Sequence, residues 1–110
     1  LRFMAKTKKR LEDHIVETVC GCYGYSLEEL RQPNGKYTCG IARKMLAYIL
    51  YKFTPHTRSW IGLYLRRSAT VVTNYVSQTE WDIEHSHIAR ENYEYILDTL
   101  NLTKEDEINR

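Results

Sequence analysis

From Leu11 to Leu100 the apolar residues return every three or four positions, in runs that stop at a glycine, a proline or a helix-capping serine or threonine. No stretch of convincing strand-like alternation interrupts them, and there is no internal repeat or low-complexity segment. This period predicts an all-α fold, a compact bundle of about six helices. With 110 residues the chain has one domain's worth of material, enough to bury a modest core without metals or cross-links. We expect a single helical domain over 4–102 and a polar, fraying tail over 103–110. Leu1 to Phe3, which precede Met4, are set aside.

The runs define the elements one by one. Lys8 to Tyr23 places Leu11, Ile15, Val16, Val19, Cys20 and Tyr23 on one stripe. After Gly21 and Gly24, Ser26-Leu27-Glu28-Glu29 has the form of a capping box opening a short helix through Leu30, and Gln32-Pro33-Asn34-Gly35 is turn chemistry. A longer helix fits Gly40 to Phe53, with Ile41, Met45, Leu46, Ile49 and Phe53 on one broad face, and Pro55 stops it. Thr57 caps a fourth helix through Tyr64, and Ser68 a fifth to about Ile83. The sixth, His87 to Leu100, is expected to bury Ile88, Tyr95, Ile96 and Leu100 beneath an acidic outer face.

Charge narrows the function. Arg31 to Thr79 holds eight basic residues and no carboxylate, whereas from Glu80 onward nine acidic residues face three basic ones. A basic middle of this kind favours a polyanionic partner, with nucleic acid first. The fourth and fifth runs have the pattern of a helix-turn-helix between Thr57 and Val76. Ile61 is a buried anchor, Gly62 permits close approach, Leu65 closes the core beneath the turn, and Val72, Tyr75 and Val76 seat the second helix. The alternative is an ordinary pair of packed helices. Under the first reading Ala69, Thr70, Thr73, Asn74 and Ser77 remain outside, a small uncharged stripe suited to a major groove. Arg66 and Arg67 lie in the turn, placed for phosphates or a base edge, and Lys36, Lys44 and Arg58 are further phosphate candidates.

These residues resemble a known family, the C-terminal DNA-binding domain of the replication initiator DnaA, among the Trp-repressor-like helix-turn-helix folds. The likeness runs from about Val19 to Ile83. Val19-Cys-Gly-Cys-Tyr-Gly-Tyr-Ser-Leu-Glu-Glu-Leu30 resembles the family's first helix and the short helix after it. Arg43 to Thr54 resembles its long helix, with Arg43 at the position of an arginine that enters the minor groove. Ile61-Gly62 and Leu65 match its Ile-Gly pair and the aromatic position that follows. Where the family opens its recognition helix with Gly-Gly-Arg-Asp-His-Thr-Thr-Val, this chain has Arg66-Arg67-Ser68-Ala69-Thr70-Val71-Val72, one residue shorter. The resemblance therefore implies double-stranded DNA as partner and a docking mode, with Ser68 and Ala69 replacing the Asp and His that read the initiator's site.

No Gly-x-x-x-x-Gly-Lys-Ser/Thr loop accompanies this pattern, so the expectation is a stand-alone regulator or accessory protein rather than an ATP-driven initiator. The rival expectation is a protein-interaction or dimerisation module, with a protein partner or homodimer using the tyrosines and the acidic sixth helix. No enzyme is expected, since no nucleophile and base pair stands out and His85-Ser86-His87 reads as a polar helix entry. Cys20, Cys22 and Cys39 could be joined to a histidine around zinc only if Cys20 and Cys22 shared a helix face, which residues two apart do not. They read as reduced, buried thiols, and no metal or cofactor is expected. Without a membrane-length apolar run or a signal-peptide pattern, the expected setting is soluble and cytoplasmic, with no membrane partner.

Overall fold

The structure, a computed structural model, describes residues 10–33 and 37–108, with the backbone alone for 37 and 38. Among the described residues it is all-helical, with α1 (Leu11–Tyr23), α2 (Leu27–Arg31), α3 (Tyr37–Phe53), α4 (Arg58–Leu65), α5 (Ala69–His85), α6 (His87–Leu100) and a 3-10 turn at Lys104–Asp106. The helix placed by sequence from Lys8 begins at Leu11, and Lys8, Lys36, Asn34 and Gly35 lie outside the described residues.

Local chemistry sets most boundaries. Ser26 and Glu29 form a reciprocal capping box, with the Ser26 N–H donating to Glu29 Oε1 at 2.8 Å and the Glu29 N–H to Ser26 Oγ at 3.2 Å. Thr57, Ser68 and Ser86 accept from the backbone N–H three residues on, opening α4, α5 and α6. Gly24 ends α1 in the left-handed region at φ 78°, a conformation glycine adopts without steric cost.

α3 forms the axis. Six consecutive residues, Met45 to Leu50, are all buried, so the helix has no solvent face along this stretch and α1, α2, α4 and α5 pack around it. The single broad face read from sequence is thus too narrow, and Ile41, assigned to it, is exposed. α5 packs on α3, α4 and α6, and α1 and α6 meet each other. Fully buried side chains such as Ile15, Leu46, Ile61 and Ile96 contribute about 1.5–3 kcal/mol each.

α6 corrects the sequence expectation more sharply. Its inward stripe is Tyr93, Ile96 and Leu97, whereas Ile88 and Tyr95 stand outside at 70% and 57% exposure. On this face Tyr93 meets Tyr48 edge-on and donates its hydroxyl to Glu107 Oε2 at 3.2 Å. That contact also holds the segment after Leu102, together with the Ile108 N–H donating to Lys52 O at 2.6 Å, so residues to Ile108 are tied to α3 and α6 rather than frayed. Among the described residues no helix is long and apolar enough to cross a membrane.

Candidate nucleic-acid interface

α4 and α5 are joined by three residues, Arg66 to Ser68. The Arg67 N–H donates back to Gly62 O at 2.7 Å, which curls the chain over the end of α4. A Cβ on Gly62 would lie 2.4 Å from Arg67 O. The glycine is therefore required by the turn's own backbone rather than by a neighbouring helix. Arg66 takes the left-handed position, φ 59°, where glycine is favoured, and its side chain remains 60% exposed.

Beyond the turn, α5 presents Ala69, Thr70, Asn74, Ser77 and Gln78 to solvent and buries Val72, while Tyr75 and Val76 pack half-buried against the core. Thr73 is half-buried, its hydroxyl donating to Ala69 O at 3.1 Å and accepting from Arg58 Nη1 at 3.2 Å. On the other flank Lys44 Nζ donates to Gln78 Oε1 at 3.1 Å. Five residues separate Thr73 from Gln78, about 140° around a helix. The two cations thus bracket the outer stripe, with Thr70, Asn74 and Ser77 between them. Beside it, an open depression of about 320 Å³ is lined by Thr57, Arg58, Ser59, Ala69, Thr70 and Thr73. Ser68 is exposed, with its hydroxyl oxygen engaged by the Val71 N–H.

The arginines read from sequence as one group separate into two. Arg43 is only 7% exposed. It donates from Nε to Leu30 O, and from Nη2 to Gln32 O at 3.4 Å and to Cys39 Sγ at 3.7 Å. The minor-groove position expected of it is corrected: this guanidinium lies inside the fold, satisfying carbonyls at the end of α2. Arg67 is half-buried and does similar work, donating to Gln32 O at 2.6 Å and to Arg31 O and Leu65 O. Its expected phosphate or base contact is likewise replaced by a bracing one. Arg31 joins them, with Nε on Tyr64 O at 2.7 Å. Among the described cations around the stripe, Lys44 is half-buried while Arg58 and Arg66 are exposed, and Arg66 also lies 3.9 Å from Glu28. Gln78 is the polar residue the sequence reading passed over. Its signal was present, since it follows Asn74 by four and so continues the same surface.

α4 is fixed from behind by a ring column. His56 stacks on Trp60 at 3.6 Å between centroids, Trp60 on Tyr64 at 5.0 Å, and the Arg31 guanidinium lies over Tyr64 at 4.9 Å. At the far end His56 Nε2 is 3.3 Å from Glu12 Oε2, tying α4 to α1. Burial raises the Glu12 carboxyl pKa, but the bonds from its own backbone N–H and from His56, with the Arg10 charge, outweigh it and hold the group below its ordinary value.

Elsewhere the chemistry is quiet. Burial pushes the Cys20 and Cys22 thiols up, with the Glu29 charge adding to the effect at Cys20, so neither is poised as a thiolate. Among the described residues no group of three or more His, Cys, Asp or Glu side chains could hold a metal ion. His85 stacks on Trp81 and His87 meets Glu91 at 2.8 Å, so the two rings of the His85-Ser86-His87 triplet serve different neighbours. No protein-family model matches the chain, and no curated protein matches it. The functional reading therefore rests on these residues and their geometry.

Proposed function

We propose that this domain binds double-stranded DNA, with α4 and α5 acting as a helix-turn-helix and the first half of α5 lying in the major groove. The observation that carries the reading is the uncharged stripe of Thr70, Asn74 and Ser77 bracketed by Arg58 and Lys44. It lies within a stretch from Arg31 to Thr79 that contains no carboxylate. Asn74 has the donor and acceptor needed for bidentate contact with an adenine edge, and the Thr70 and Ala69 methyls suit a thymine methyl. Arg58, Arg66 and Lys44 supply the phosphate contacts. The hydroxyls of Thr57, Ser59 and Thr70 beside Arg58 favour a backbone phosphate in the open depression. The role that fits is that of a regulator or accessory DNA-binding domain. Its target differs from the initiator's, because Ser68 and Ala69 stand where the resembled family has Asp and His.

The test is fluorescence anisotropy of a labelled, mixed-sequence duplex at about 50 and about 200 mM salt, a range over which phosphate contacts weaken steeply. The comparison protein is the Lys44→Ala, Arg58→Ala, Arg66→Ala variant, which leaves the bracing arginines untouched. We expect salt-sensitive binding by the intact chain and a shallower salt slope in the variant, by about 0.9 per lost contact. Absence of binding by the intact chain at the lower salt would overturn the proposal.

A further inference from the structure

α6 carries two large apolar side chains that the fold leaves outside. Ile88 and Tyr95 are 70% and 57% exposed. Seven residues apart, they lie on one stripe, about 10 Å from each other along the helix. Glu91 and Asp98 share that stripe and Glu94 adjoins it, all three exposed. The opposite side of the same helix is the buried one, formed by Tyr93, Ile96 and Leu97. The outer face therefore combines two apolar anchors at helix-reading spacing with a concentrated negative charge. Arg90 does not offset that charge there, because its guanidinium turns back to the Ile83 and Glu84 carbonyls at 3.2 and 2.9 Å. The exposed His87 ring, 2.8 Å from Glu91, offsets it only when protonated, leaving Glu94 and Asp98 unaffected.

Charge selects the occupant. DNA is repelled by this face. A second copy is disfavoured as well, since two-fold pairing of α6 on itself brings Glu91, Glu94 and Asp98 against the same residues of the other chain. A lysine- or arginine-bearing helix with its own apolar stripe complements both features at once, with apolar residues seated on Ile88 and Tyr95 and cations reaching the carboxylates. We propose that the outer face of α6 docks a basic amphipathic helix of a partner protein, with Ile88 and Tyr95 as anchors and Glu91, Glu94 and Asp98 selecting its charge. This surface uses none of the α4–α5 residues assigned to DNA, so it stands or falls separately from that reading.

A fluorescein-labelled amphipathic helical peptide of leucine and lysine is the probe, with a peptide of the same composition scrambled to abolish the apolar stripe as its control. Anisotropy titrations would compare the intact chain with Ile88→Ser/Tyr95→Ser and with Glu91→Gln/Glu94→Gln/Asp98→Asn. Both variants change exposed positions and should melt within a few degrees of the parent. We expect the amphipathic peptide alone to bind, the serine variant to lose about tenfold in affinity, and the neutralised variant to lose most of the salt dependence. Failure of the amphipathic peptide to bind, equal binding of the scrambled one, or full affinity in the serine variant would overturn the proposal. So would a dimer in sedimentation velocity that the serine variant abolishes, because the occupant would then be a second copy.

Discussion

The two halves of α5 share one outer stripe and present opposite chemistry along it. Ala69 to Thr79 carries no charge and is flanked by Arg58 and Lys44, whereas Glu80 to His85 holds three carboxylates and the exposed, His85-stacked Trp81. Trp81 follows Thr70 by eleven residues, about 16 Å along the axis. A polyanion is attracted to the first half and repelled from the second, so under the proposed DNA reading the footprint on this helix ends at about Gln78. A uniformly basic helix would bind DNA along its length and slide in register, while a helix divided this way admits one placement.

The largest expected effect concerns how the first half is held. Arg43→Ala should cost about 3 kcal/mol, because it removes a buried guanidinium and strands the Leu30 carbonyl it satisfies, while Gln32 O keeps its bond from Arg67. For a domain of this size, that lowers the melting temperature by more than about 10 °C. Arg58→Ala should leave the melt within about 2 °C, since its contact with Thr73 is at the surface. Scanning calorimetry on the pair decides whether the two arginines differ in kind. Equal melts would remove the distinction on which the interface is drawn.

Next in size is affinity. The Lys44→Ala, Arg58→Ala, Arg66→Ala variant should bind duplex about a hundredfold more weakly at 0.1 M salt, if each cation neutralises one phosphate. The reverse manipulation tests the boundary itself. Glu80→Lys/Glu84→Lys should tighten duplex binding by about three- to tenfold and steepen the salt slope. Unchanged affinity would mean that geometry, not charge, ends the footprint.

What could be read in advance follows the range of each interaction. Helix starts at Ser26, Thr57 and Ser68 were legible because a cap satisfies an N–H three residues away, within the same stretch of sequence, whereas Ser86 read only as a break before the last helix. The α4–α5 pair and the exposure of Thr70 and Asn74 were legible for the same reason. Arg43 and Arg67 were not, because their acceptors are carbonyls at the end of α2 that only tertiary packing brings within reach. The phase of α6 was missed on a different ground. Tyr93, Ile96, Leu97 and Leu100 stand at i, i+3, i+4 and i+7, one helical face, and the expectation placed Ile88 and Tyr95 on the buried side in place of Tyr93 and Leu97. Long-range polar partners thus set the two arginines, whereas the α6 face follows apolar spacing.

The smallest expected effect separates cost from use at a single residue. Arg66 occupies the left-handed region at φ 59°, where an L side chain is disfavoured relative to glycine. Arg66→Gly should therefore raise stability by about 0.5 kcal/mol, the relief of the turn being partly offset by the larger entropy of glycine in the unfolded chain. The same change should weaken duplex binding and lower the salt slope by about 0.9, the signature of one lost phosphate contact. Opposite signs in the melt and the titration would show a turn held at some cost so that its side chain faces the ligand. Should stability fall instead, the 3.9 Å pairing with Glu28 outweighs the backbone strain. With binding unchanged, Arg66 would be a turn residue alone, and the cations serving α5 would reduce to the two that touch it, Arg58 at Thr73 and Lys44 at Gln78.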